Sequence, residues 1–127
     1  MTENILLQFQ GKKYINIETY RKSGEAVKTP VWFVEENGVL YVRTGAESGK
    51  VKRLRRNAQV KIVPCSMGGD PQGTWVPASA DLITDEWKTI QVEGLLKKKY
   101  GLQKAVFDLF GRRNKGETAT VKFQFSQ

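Results

Sequence analysis

Asn37-Gly38 is the pair that most restricts what this chain can fold into. A two-residue type I′ turn needs two consecutive positive φ values, which Asn-Gly adopts at little cost, and it folds its flanks into an antiparallel hairpin. The flanks agree. Residues 26–34 before the turn and 39–43 after it are rich in β-branched and aromatic side chains, the signature of strands. Further strand-like runs occupy residues 14–20, 58–63, 74–83 and 118–125. In the last of these Val121, Phe123 and Phe125 alternate onto one face. Turn-forming stretches separate the runs, among them Arg21-Lys22-Ser23-Gly24 and the Gly- and Pro-rich residues 66–73. Short strands in hairpin order indicate a closed or partly closed antiparallel barrel.

Two prolines fall within strand-like runs, Pro30 and Pro77. Proline cannot donate to a ladder, so each marks an edge or a bulge. Pro30 sits among Thr29, Val31, Trp32 and Phe33, which admits two readings. One is a strand kink packed beneath Trp32. The other is a place where a flat ligand lies along exposed backbone.

Helical spacing is confined to short pieces. Residues 3–9 put Ile5, Leu6 and Phe9 on one side, with Thr2 as N-cap. Asp85 can cap a second helix, whose partial apolar stripe is Trp87, Ile90 and Leu95 and which Gly94 and Gly101 weaken or break. Leu102, Ala105, Val106, Leu109 and Phe110 follow helical spacing more closely, and Gly111 is placed to stop that helix.

The most unusual stretch is Thr44-Gly45-Ala46-Glu47-Ser48-Gly49-Lys50-Val51-Lys52-Arg53-Leu54, directly after a strand. Ser48 suits an N-cap, and the helix it starts ends near Asn57. Helix N-termini favour acidic residues, yet Lys50 and Lys52 stand in this first turn, and Val51 replaces the Glu or Gln of a capping box. One reading is a solvated basic helix with Val51 and Leu54 facing the core. The other is a phosphate cradle, with free N–H groups, a hydroxyl and lysines converging on one anion. The pattern is neither a Walker loop nor a dinucleotide fingerprint.

Absences narrow the chemistry. The chain has no histidine, which removes His-based triads and His-ligated metal sites. Its single cysteine, Cys65, can form neither an internal disulfide nor a thiolate cage and suits a reducing compartment. An enzyme built this way needs an organic cofactor for demanding chemistry, and no metal site is expected. The chain's 127 residues, 39% hydrophobic and 27% charged, are those of one globular domain. Met1-Thr2-Glu3-Asn4 carries no basic run and no apolar stretch reaches spanning length, so the expectation is a cytoplasmic protein with no membrane segment. The 21 Lys and Arg against 13 acids leave a net charge of +8, which favours an anionic partner.

Taken together, Thr29-Pro30-Val31-Trp32-Phe33, Leu40-Tyr41-Val42, Thr44-Gly45-Ala46 and Ser48-Gly49-Lys50-Val51-Lys52-Arg53-Leu54 resemble the pyridoxamine 5′-phosphate oxidase-like split-barrel superfamily. More narrowly they resemble its small deazaflavin-dependent oxidoreductase branch. Gly73-Thr74-Trp75-Val76-Pro77 and Lys99-Tyr100-Gly101-Leu102-Gln103 fit that branch too. The resemblance runs from about Tyr14 to Phe125. It implies a β-dominated fold with short helices, a six-stranded antiparallel split β-barrel of the FMN-binding type. It further implies a homodimer with FMN or the deazaflavin coenzyme F-420 at the subunit interface. By position, Ser48, Gly49 and Lys50 would contact the cofactor phosphate, with Arg53 helping. Thr44 would lie near the ring or ribityl chain, and Thr29, Val31 and Trp32 would offer backbone contacts to the ring. The activity implied is hydride transfer between the cofactor and a small molecule. Vitamin B6 oxidases are longer and end in a segment with arginine and histidine; this chain ends Lys122-Phe123-Gln124-Phe125-Ser126-Gln127, which argues against that activity. Tyr41, Tyr100 and Cys65 are acid candidates by residue type alone. Two rival readings stand beside this one: a non-catalytic flavin carrier, and a basic nucleic-acid-binding barrel. The latter would use Lys50 to Arg56, Lys97-Lys98-Lys99, Arg112, Arg113 and Lys115, but aromatics interleaved with cations, as single-strand binders have, are missing.

Overall fold

The computed structural model describes residues 2–46, 48–101 and 118–125, with side chains from Ile5 onward. The expected helix at 102–110 and the cations Arg112, Arg113 and Lys115 lie outside the described residues. Helix α1 (Thr2–Leu7) is followed by β1 (Tyr14–Tyr20), β2 (Ala26–Val31), β3 (Val34–Glu36) and β4 (Val39–Gly45). Helix α2 (Gly49–Arg56) leads to β5 (Gln59–Cys65) and β6 (Val76–Ile83), then α3 (Glu86–Tyr100) and β7 (Thr118–Phe125). The hairpin turn is as the sequence requires: Glu36 pairs with Val39, and Asn37 and Gly38 take φ values of 52° and 82°.

All seven strands form one antiparallel sheet in the order β2-β1-β5-β6-β7-β4-β3. The expected six-stranded barrel is therefore corrected twice: the sheet has seven strands, and its ladder is not closed. The physical reason lies at Trp32-Phe33, where the run expected as one strand breaks into β2 and β3. These two are consecutive in the chain yet occupy opposite edges of the sheet. The sheet thus curls until its edges meet at a two-residue covalent link, and a seam runs between them. The prolines sit where one ladder neighbour is missing. Pro30 is on edge strand β2, Pro77 precedes the β6–β7 pairing, and Pro64 lies inside β5 just past the β6 pairing.

Alternate residues of the strands fill the interior, with Ile15, Ile17, Leu40, Val42, Ile62, Val121 and Phe123 all fully buried. Leu54 of α2 closes this core from one end. A second cluster lies outside the sheet, where Val92, Leu96 and Tyr100 of α3 pack on Val34 and Tyr41 of β3 and β4. Of the expected α3 stripe, Leu95 packs against this cluster, and the other two residues are corrected. Trp87 is 81% exposed and Ile90 62% exposed, because the helix docks through residues on nearly its opposite face. Gly94 does not break α3. The helix runs from N-cap Asp85, which accepts from the Trp87 N–H at 2.9 Å, to Gly101 with φ 55°. Among the described residues no helix is long and apolar enough to cross a membrane.

Candidate functional site

Where a ladder is interrupted, its backbone groups must bond elsewhere. At the seam the partner is the C-terminal end of α3. The buried Tyr100 hydroxyl accepts from the Phe33 N–H at 3.0 Å, and its single proton faces two carbonyl acceptors, Lys13 at 2.7 Å and Phe33 at 2.9 Å. Lys99 Nζ donates to the same Phe33 carbonyl at 2.9 Å and stands 3.6 Å from the centre of the Phe33 ring. The Tyr100 ring stacks on Trp32 at 4.4 Å, with 9° between the planes. Two residues of α3 thus hold the seam in one conformation and set the pose of Trp32.

A cleft of about 430 Å3 lies along this seam, within the about 300–1,000 Å3 of small-molecule sites. One bank carries Tyr14, Pro30, Val31 and Trp32; the other carries Arg43, Thr44, Gly45 and Thr118. Lys50 enters from α2, and Glu93 and Leu96 from α3.

Lys50 is the notable group. Its residue is 8% exposed, and Nζ donates to the Thr44 hydroxyl at 2.9 Å. It has no acidic partner among the described residues. Burial, and to a lesser degree the neighbouring Arg53, holds its pKa below that of an ordinary lysine. Helix α2 produces this position. Ser48 caps it, accepting from the Val51 N–H at 3.3 Å, and Val51 and Leu54 are anchored in the interior. No acid stands in its first turn, so the positive end of its dipole is uncompensated.

Of the residues the sequence nominated, the fold brings Val31, Trp32, Thr44 and Lys50 to the cleft surface. Thr29, Ser48, Gly49 and Arg53 flank it without lining it. Thr29 pairs with Ile17 in the β1–β2 ladder. Arg53 reaches back across the start of α2, where Nε donates to the buried Thr19 hydroxyl at 2.6 Å. A Cβ on Gly49 would come within 2.9 Å of Arg53 Nη1, so the glycine makes room for the guanidinium. Desolvation and then Arg21 and Arg56 lower the Arg53 pKa; the head of α2 is cationic throughout.

The acid candidates all have other work. Tyr41 is buried beneath Lys88, whose Nζ lies 4.6 Å from the ring centre. Burial pushes the Tyr100 phenol up, and its oxygen is committed to the seam. The Cys65 thiol is buried and raised by desolvation and by Asp70, which disfavours a thiolate. Sequence reasoning missed Tyr14, Arg43, Glu93, Leu96 and Thr118. Arg43 Nε meets Glu93 at 2.9 Å, Nη1 donates to Thr120 at 2.7 Å, and Nη2 donates to Thr118. These contacts span 50 to 77 residues of chain, so no local spacing signals them.

No protein-family model matches the chain, and no curated protein does. Solved structures match it along most of its length. A candidate pyridoxamine 5′-phosphate oxidase from Listeria innocua has a TM-score of 0.70 and 18% identity, covering 99% of this chain and 94% of its own. The haem storage protein HutZ from Vibrio cholerae has a TM-score of 0.72 and 17% identity, over 98% and 89% of the two chains. An F-420-H2-dependent reductase has a TM-score of 0.64 and 16% identity, over 88% and 94%. Identities this low speak to the fold alone. The structural neighbours of this chain are thus pyridoxamine 5′-phosphate oxidase-like, F-420-dependent reductase and haem storage proteins, and it shares their antiparallel β fold.

Proposed function

We propose that this chain binds FMN or the deazaflavin coenzyme F-420 in the seam cleft and acts as an oxidoreductase on a small molecule. The observation that carries this reading is Lys50. A lysine with 8% exposure whose partner among the described residues is a neutral hydroxyl is costly to the free protein. An anion in the cleft offsets that cost. The residues that line the cleft fit a phosphate-bearing planar group, with Lys50 and Thr44 at the anion near the Ser48-capped start of α2, and Val31 and Trp32 along the ring. Such a cofactor, when bound, supplies the hydride chemistry at its own ring. The chain's part is to anchor the phosphate, orient the ring and exclude water. Assembly as a homodimer that completes the cleft, and a cytoplasmic location, belong to the same proposal. Haem storage has less support, because the chain has no histidine to offer an iron.

The test is a parallel titration of the apo protein with FMN, coenzyme F-420 and hemin, followed by Trp quenching and by each ligand's own spectrum. Saturable uptake of one flavin-type cofactor is expected. Lys50→Ala should weaken it by about 1.5–3 kcal/mol, the worth of a hydrogen bond to a charged group. Uptake of neither flavin, or an unchanged Kd in Lys50→Ala, sinks this reading. Turnover of the reduced cofactor with a substrate panel then separates an enzyme from a carrier.

A further inference from the structure

The chain has four tyrosines, and their hydroxyls differ in what they are given to do. The Tyr100 oxygen is taken up by backbone groups of Phe33 and Lys13. Tyr20 donates to Glu18 Oε2 at 2.8 Å. Tyr41 is buried against Lys88. Tyr14 alone lines the cleft, and its hydroxyl has no hydrogen-bond partner among the described residues.

Its setting makes that hydroxyl informative. Tyr14 opens β1 opposite Cys65 of β5, and the carbonyl of Lys13, the residue before it, lies 2.7 Å from the Tyr100 hydroxyl. The backbone that carries Tyr14 is therefore pinned to the seam latch. Its half-buried ring shares one bank of the cleft with Pro30, Val31 and Trp32. The side-chain donors of that bank are the Tyr14 hydroxyl and the Trp32 indole N–H, and Pro30 lacks even a backbone N–H. In the open cleft, water satisfies the phenol. Once a flat ligand covers the bank, a hydroxyl left without water or partner carries a desolvation cost. The cost disappears if the ligand presents an acceptor there, and a ligand without one is rejected.

We propose that Tyr14 is a ligand-reading residue of this cleft, whose phenol donates a hydrogen bond to a carbonyl or ring-nitrogen acceptor on the planar part of the molecule held through its phosphate at Lys50. This inference rests on the cofactor reading above and adds to it a chemical requirement: an acceptor-bearing heteroaromatic ring on the β1–β2 side. Tyr14 contributes through a neutral hydrogen bond and Lys50 through a charged one, so the two make separable contributions to binding.

Tyr14→Phe removes one oxygen and keeps the ring. The ligand-free variant should melt within about 1 °C of the parent, because the hydroxyl makes no hydrogen bond among the described residues. Titrated with FMN and with coenzyme F-420 beside Lys50→Ala, it should bind the accepted cofactor about three- to tenfold more weakly, the equivalent of one neutral hydrogen bond. The absorption maximum of the bound cofactor should also shift from its position in the parent complex, as ring electronics follow hydrogen bonding. Parental affinity and spectrum in Tyr14→Phe, with binding weakened in Lys50→Ala, overturns the role of Tyr14 and leaves the phosphate site standing. A ligand-free melting temperature several degrees lower assigns the hydroxyl to the fold and overturns the role as well. Failure of the parent protein to take up either cofactor removes both readings.

Discussion

Lys50 and Lys99 show at the scale of single residues how a fold can hold cations at a cost. Both have lowered pKa values; desolvation is the leading cause for Lys50 and the cause for Lys99, whose value falls to about 8 from 10.5. A lysine whose folded pKa lies below its unfolded one binds fewer protons in the native state, so stability rises with pH between the two values. For Lys99 that window runs from about pH 8 to 10.5. The melting temperature of Lys99→Met should therefore climb less steeply with pH across this window than that of the parent; parallel curves would remove Lys99 as the source. Lys50 has the opposite consequence for binding. Phosphate favours the protonated amine, so cofactor affinity should decline as pH rises through the lowered Lys50 pKa, while Lys50→Ala should bind with a flatter pH profile. At this scale the sequence was partly legible. The cationic start of α2 identified Lys50, because capping and charge are local properties. Its burial was not legible, since the cover comes from β4 and the cleft walls. Arg53 was nominated for the same anion, yet it turns back to Thr19, a residue 34 positions earlier.

Among the elements, the junction of α3 with the β2–β3 break decides the most. Trp32-Phe33 cannot continue the ladder, and Tyr100 and Lys99 take over the backbone groups of Phe33. Tyr100→Phe would leave the buried Phe33 N–H without its acceptor. The expected loss is about 2–3 kcal/mol, read from urea unfolding, with a change in emission from Trp32 as its stacking partner shifts. A loss below about 0.5 kcal/mol would show that another group satisfies the seam. Helix α2 and the Asn37-Gly38 hairpin were legible from sequence because their signals, a Ser cap and an Asn-Gly turn, act over a few residues. The phase of α3 was not. Trp87, Ile90 and Leu95 are apolar and near helical spacing, but Val92, Leu96 and Tyr100 include the residue whose hydroxyl completes the seam. Packing of that stripe on Val34 and Tyr41 left Trp87 and Ile90 outside.

For the whole molecule, the net charge of +8 and the buried cation have different salt responses. Exposed charges are screened beyond a Debye length of about 10 Å at 0.1 M salt, whereas a buried contact is screened much less. Raising salt from about 0.1 M to about 1 M should weaken cofactor binding modestly, by less than tenfold, while binding to random oligonucleotides should collapse. A steep loss of cofactor binding would move the anion to the open surface. By itself, the sequence determined the strand and turn pattern, the capped basic helix and the exclusion of imidazole chemistry and thiolate metal cages, because each depends on residue type and near neighbours. The tertiary structure alone decided that β2 and β3, adjacent in the chain, lie at opposite edges of one sheet. From that follow the seam, the cleft along it and the selection of Tyr14, Thr44 and Lys50 to face one another's space. Strand order is set by which apolar faces can be buried together over the whole chain, and no local signal encodes that sum.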